Sequence, residues 1–299
     1  MKRAAGADLT FLRIKEMATS ATKAVQPVEP LWKPENLPPF PAVALKALNL
    51  MAGTDTSLLE LCNLIRSDPA FSTAILKIAN SPLVAFSKNI TSVLQASMLL
   101  GFQRLRSVVI TVGLKAYLKD PFSALLHSCW RHSVACAMIA ERAASGSGFD
   151  KDFAYTAGIM HDIGRVAMAT EMPQAYARVV EAGADQPHDL LQTEWELCGI
   201  DHCQAGRTLV TAWNLPDALL EVTASHHDSG QHAPGVASVL RPSCLLADLL
   251  GFGVVEYRKL RSYADVMSQF PESARDDFPE DGKELARQIH DEIMVIESV

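Results

Sequence analysis

Two Asp-Pro dipeptides, Asp68-Pro69 and Asp120-Pro121, constrain this chain most, because each reads as a helix N-cap followed by a first-turn proline. Proline is expelled from helix interiors, whereas an aspartate before it satisfies amide groups that the first turn leaves orphaned. Between these marks apolar residues recur at helical spacing. Val43, Leu45, Leu48, Leu50 and Met51 predict a helix that stops at Gly53, and a second starts near Ser57. A third runs from Pro69 toward Asn80-Ser81-Pro82. Stretches 91–100 and 102–118 flank Gly101, and a long helix follows Asp120-Pro121 to about Ala144. Residues 145–150 read as a loop, after which periodicity resumes from Phe153 to Ala169 and carries His161-Asp162 inside helical sequence. No segment alternates with period two between hairpin turns, so the expected fold is all-α.

Hydrophobic residues make up 48% of the 299 and charged residues 20%, a composition that supports a packed core and argues against extensive disorder. The 27 Lys and Arg against 34 Asp and Glu give a net charge of -7, which repels phosphate backbones and acidic membrane surfaces. Neither nucleic acid nor membrane is therefore an expected partner. Six cysteines without a CxxC pair fit reduced thiols in the cytoplasm better than a disulfide or zinc-thiolate framework. The N-terminus lacks the apolar stretch of a secretory signal. The first 41 residues are irregular and end in a proline cluster, so residues 1–36 are expected to be an extension. A helical lobe over 37–118, a second lobe over 119–252 and a C-terminal helical extension over 253–299 complete the expected organisation. In that extension Glu284 to Ile296 has helical spacing.

His161-Asp162 offers an imidazole and a carboxylate, a mixed nitrogen and oxygen pair suited to iron, manganese or zinc. His132 and Asp248 are polar residues within apolar helical surroundings. Burying such groups unpaired costs about 1–3 kcal/mol each, so each needs a partner. One metal would partner all four.

The order His132, His161-Asp162, Asp248 resembles the HD superfamily of metal-dependent phosphohydrolases. Leu37-Pro38-Pro39, Ser67-Asp68-Pro69-Ala70-Phe71 and Ile75-Leu76-Lys77-Ile78-Ala79-Asn80-Ser81 narrow the likeness to the HDOD family, HD-related output domains of bacterial signalling proteins. Ala157 to Gly164 and Asp201-His202-Cys203-Gln204-Ala205-Gly206 continue it, so that it spans roughly Leu37 to Gly251. The resemblance implies a helical N-terminal lobe packed against an HD-like helical lobe. It also implies a metal-ligand set of His132, His161, Asp162, His202, His226, His227 and Asp248, holding one or two divalent transition ions. Iron or manganese is favoured and zinc is compatible.

The implied function is regulatory, through a protein partner; the alternative is hydrolysis of a nucleotide or phosphodiester, a phosphate-containing small molecule, with Asp162 and Arg165 as catalytic candidates. Arg165 stands where active relatives carry lysine, and no Gly-Tyr-Pro follows His226-His227, which argues against cyclic di-GMP hydrolysis. Plainer readings stand beside these. Protein hydrogen bonds alone could satisfy His161-Asp162; Asp201-His202 could cap a helix, and His226-His227 could face a helix's negative pole. Glu194 reads equally as a residue orienting a histidine or as a solvent-facing glutamate. Cys203 lacks the cysteine partners of a zinc site, and His127, His188, His232 and His290 read as solvent-facing or locally bonded.

Overall fold

In the first lobe, α1 (Ala42–Asn49), α2 (Leu58–Arg66) and α3 (Pro69–Ala79) all pack on α4 (Val93–Tyr117). This is a computed structural model that describes residues 39–49, 58–84, 90–118, 123–184, 190–227, 235–257 and 261–298, together with Trp32, Glu35 and Leu37. Most of the expected N-terminal extension, and the helix end at Leu50 to Gly53, lie outside the described residues. Asp68 caps α3 as its sequence predicts, with Oδ1 accepting from the amides of Ala70 and Phe71 at 2.8 and 3.2 Å. Asn80 closes the helix and exchanges two hydrogen bonds with the Ile90 backbone, which fixes the approach to α4. Gly101 adopts φ 74°, ψ 169° and breaks α4 into the two stretches its position predicts.

The second lobe runs through α5 (Ala124–Ser147), α6 (Lys151–Met160), α7 (Ile163–Glu171), α8 (Pro173–Gly183), α9 (Leu190–Cys198), α10 (His202–Ala212), α11 (Asp217–Ser225) and α12 (Ala237–Ala247). A π-helical turn, Asp248–Phe252, follows α12, and α13 (Tyr263–Met267), α14 (Glu272–Arg275) and α15 (Gly282–Glu297) complete the chain. Asp120-Pro121 lies outside the described residues, and the cap of α5 is Ser123, whose Oγ accepts from the Leu126 amide. This helix continues past Ala144 to Ser147, shrinking the expected loop to Gly148–Asp150. Packing of α14 on α5 and the bond from Ser147 Oγ to Ala143 O favour helix there despite the low propensity of serine and glycine. Asp150 then caps α6.

α5 is the axis of the lobe: α6, α7, α12, α14 and α15 all pack on it. Its buried Cys136, Ala137, Ala140 and Ala144 keep that surface small and let neighbouring backbones approach. The lobes meet where Tyr155 and Thr111 share a 2.7 Å hydrogen bond and Trp130 Nε1 donates to Thr111 O. Phe40, Tyr117 and Trp213 add a ring cluster with centroids 4.9 to 5.5 Å apart. The C-terminal helix touches both lobes: Lys115 and Lys77 donate to the carbonyls of Glu297 and Ser298, while Arg131 and His127 flank the Glu297 carboxylate. Cations at a helix C-terminus complement its dipole. His290 meets Arg131 in this region, whereas His188 and His232 lie outside the described residues. Among the described residues there is no strand, and no helix is long and apolar enough to cross a membrane.

Candidate metal centre

His161 and Asp162 do not lie inside one helix; they form the turn between α6 and α7. His161 ends α6 and Asp162, at φ −99° and ψ 18°, begins α7 without spending its carboxylate on a cap bond. The break turns both side chains into the space between α5, α10, α11 and α12.

There Asp162 has an imidazole nitrogen near each face. Its Oδ1 is 3.4 Å from His202 Nε2 and 3.3 Å from His226 Nε2. Its Oδ2 is 3.5 Å from His161 Nε2, 3.6 Å from His132 Nε2 and 3.1 Å from Arg165 Nε. Three of the imidazoles are fixed from behind. His161 Nδ1 is 2.7 Å from Gly158 O, His202 Nδ1 is 2.6 Å from Glu194 Oε2, and His226 Nδ1 is 3.2 Å from Val222 O. A ring nitrogen beside such an oxygen must carry the proton, which leaves Nε2 of a neutral ring as a lone pair. Three lone pairs therefore face a carboxylate that has only lone pairs itself, and neither Asp162 oxygen has a hydrogen-bond donor in good geometry. His202 Nε2 and His226 Nε2 stand 3.2 Å apart in the same way. All of this is shielded from water: Asp162 is 1% exposed and His161 and His202 are fully buried. Such a cluster needs positive charge at its middle, supplied by protons or by a cation, and the residues present fit a metal ion.

The donor atoms divide into two groups, each with its atoms within 4.8 Å of one another: Asp162, His202, His226 and His227 in one, and His132, His161 and Cys244 in the other. The structure thus brings six of the seven expected ligands into or beside one buried volume. His227 Nε2 is buried with no partner, and burial together with the neighbouring His226 holds its ring well below the ordinary imidazole range. Asp248 sits elsewhere, with Oδ1 3.3 Å from Nδ1 of His132 on the side of the ring away from Asp162. Burial raises the Asp248 carboxyl to about 7 and lowers the His132 imidazole to about 3. Burial alone would also raise the Asp162 carboxyl; Arg165 and His161 outweigh it and hold Asp162 well below the usual carboxylate range. Arg165 is itself only 5% exposed and directed at Asp162.

Two residues near the cluster differ from their sequence readings: Glu194, which reads equally as solvent-facing, and Cys244, which reads as a small apolar core residue. Glu194 is fully buried; it accepts from Tyr176 Oη, from the His202 amide and from His202 Nδ1. Burial opposes its ionisation, but His202 outweighs burial and lowers it. Nothing in the local sequence distinguishes it from a solvent-facing glutamate. The Cys244 thiol lies 2.9 Å from His161 Nε2 and 3.6 Å from His132 Nε2. Its helical offset of four from Asp248 was the available signal. Cys203 sits behind the centre, 4.0 Å from His226 Nδ1.

Packing of α7 against α10 sets the distance between Asp162 and His202. Gly164 lies against the His202 carbonyl and the Gly206 amide, where a Cβ would overlap backbone. Only glycine permits that approach.

Comparison with known proteins agrees with this architecture. A protein of Treponema pallidum (strain Nichols) described as uncharacterized is 24% identical over 223 residues, covering 73% of this chain. The chain spans 42% of that relative's length. The crystal structure of an HDOD domain protein of unknown function from Geobacter sulfurreducens superposes with a TM-score of 0.68 at 23% identity, over 88% of this chain and 91% of that one. A candidate signal transduction protein from Marinobacter aquaeolei VT8 gives 0.66 at 22% identity, over 87% of this chain and 60% of that one. These likenesses establish the fold. The family model of the HDOD domain matches residues 37–229, which is more than half of the sequence, and the chain therefore belongs to the HDOD family.

Proposed function

We propose that this protein is a regulatory HDOD module of bacterial signal transduction that acts through contacts with a protein partner and holds one or two divalent transition ions around Asp162. Residues 37–252 form its functional unit in this reading. The observation that carries it is the set of imidazoles fixed at Nδ1 whose Nε2 atoms converge on a buried carboxylate that no well-formed hydrogen bond satisfies. His132, His161, Asp162, His202, His226 and His227 would hold the ions, with Asp248 at the edge. The nitrogen and oxygen donors favour iron or manganese and accept zinc. Divalent ions there would supply Lewis acidity toward a phosphoryl oxygen.

Burial supports regulation over turnover. Donors between 0% and 4% exposed, as His161, Asp162, His202 and His226 are, retain an ion readily, but a nucleotide reaches them only if helices part. Arg165 is engaged with Asp162 and would have to leave a buried ion pair to clasp a phosphate. The description of the Marinobacter neighbour as a candidate signal transduction protein points the same way. A second reading, a metal-dependent phosphohydrolase acting on a nucleotide or phosphodiester, is favoured by the position of Asp162 between two donor groups, as a two-ion centre requires.

Elemental analysis of protein purified without added metal tests the shared premise. A stoichiometric transition metal that disappears in Asp162→Ala is expected; less than about a tenth of an equivalent in the wild type overturns the metal-holding reading. A panel of phosphodiesters and nucleotides separates the two functions. Equal background in wild type and Asp162→Ala is expected for the regulatory module, whereas turnover confined to the wild type replaces it with the phosphohydrolase.

A further inference from the structure

The two donor groups around Asp162 differ in chemistry. One is made of imidazole and carboxylate alone; the other contains sulfur. Cys244, in the last turn of α12, places Sγ 2.9 Å from His161 Nε2 and 3.6 Å from His132 Nε2. Asp162 Oδ2 lies 3.5 and 3.6 Å from the same two nitrogens. Tetrahedral coordination with metal–nitrogen distances of about 2.1 Å and a metal–sulfur distance of about 2.3 Å puts donors about 3.4–3.6 Å apart. Three of these four separations fall in or next to that range, and the fourth is a close contact that a shared ion would widen. Asp248 lies on the opposite side of the His132 ring, 3.3 Å from Nδ1 and away from these donors.

We infer that Cys244 is a metal ligand, so that His132, His161, Asp162 and Cys244 form a thiolate-containing pocket. The inference rests on the metal-holding reading above and assigns one pocket a softer ion than its neighbour. Thiolate donors select zinc or ferrous iron over manganese and magnesium, while the group of Asp162, His202, His226 and His227 has only nitrogen and oxygen donors. Binding is a proton exchange: the metal–sulfur bond forms as the S–H bond breaks, and the proton leaves to solvent.

Cobalt(II) titrated into metal-free, full-length protein tests this by absorbance. Wild type is expected to show a near-ultraviolet sulfur-to-cobalt charge-transfer band together with ligand-field bands in the visible. Cys244→Ser should lose the charge-transfer band and retain cobalt at the other pocket, and Cys136→Ser and Cys203→Ser should keep the band. Cys244→Asp, which supplies oxygen in place of sulfur, should bind cobalt without the band and serves where the serine variant fails to fold. Cobalt binding with no charge-transfer band in the wild type overturns Cys244 as a ligand and leaves the metal-holding reading standing. A band lost in Cys203→Ser but kept in Cys244→Ser overturns it as well. No cobalt binding at all overturns both.

Discussion

Substituting alanine at Gly164 probes the spacing on which the centre depends. A Cβ there stands 2.9 Å from the His202 carbonyl carbon and closer still to the His202 oxygen and the Gly206 nitrogen, whereas ordinary contact begins at 3.4 Å. Backbone on both sides cannot rotate away, so α7 and α10 must part by about an ångström or more. Overpacking of this kind costs about 1–3 kcal/mol, and rigid neighbours place it near the top of the range. Alanine returns at most about 1 kcal/mol of helix propensity. A net loss of about 2 kcal/mol lowers the melting temperature by about 4 °C for a chain of this size. Gly206→Ala is the control in the same interface: its nearest atoms are at 3.4 Å, and it should melt at or slightly above the wild-type temperature. Because Gly164 follows Asp162 by two residues and faces His202, Gly164→Ala should also weaken manganese or zinc binding about tenfold. Calorimetric melting of the metal-free proteins and ion titration give both numbers. A Gly164→Ala protein that melts with the wild type, or melts lower yet binds ions as tightly, refutes the link between helix approach and the centre.

Arg165→Met should destabilise metal-free protein by about 3 kcal/mol, since removing one member of a buried pair strands the other, and the loss should shrink once ions occupy the centre. Denaturant melts with and without metal measure this; equal losses in both forms exclude an ion beside Asp162. Away from the centre, burial raises the Glu141 carboxyl, with Asp152 adding to the shift. A carboxyl raised in the folded state binds protons more tightly there than in the unfolded chain, so stability falls as pH rises from the ordinary glutamate range through the raised value. Glu141→Gln should therefore melt higher than wild type at pH 7 and match it near pH 4; a difference independent of pH would refute the assignment.

Much of the fold was legible because its signals are local. Asp68-Pro69 marks a helix start through bonds made within three residues, and Gly101 marks a break through its own backbone conformation. His132, His161 and Asp162 were legible as polar residues in apolar helical sequence, whereas His202, His226 and His227 were reached only through the family resemblance. Their convergence follows from the order of helices rather than from any one segment. What escaped depends on tertiary packing. The break at His161-Asp162 falls in continuous apolar periodicity, and the extension of α5 through Ser147 is favoured by α14, which lies more than a hundred residues further along. Glu194 looks like a surface glutamate until Tyr176 and the start of α10 close over it. Cys244 reads as a small apolar core residue, and only its approach to His161 and His132 shows otherwise.

Burial of the Asp162 cluster also sets a timescale. A ligand shell open to solvent loses its ion at a rate set by bond strength and by the concentration of a competing chelator. Here His161 and His202 are fully buried and Asp162 nearly so, so an ion held among them leaves only when surrounding helices open locally. Release then proceeds at the opening rate, becoming independent of chelator once chelator is in excess. Occupancy of this centre would thus record past exposure to metal over many opening events instead of tracking its momentary concentration.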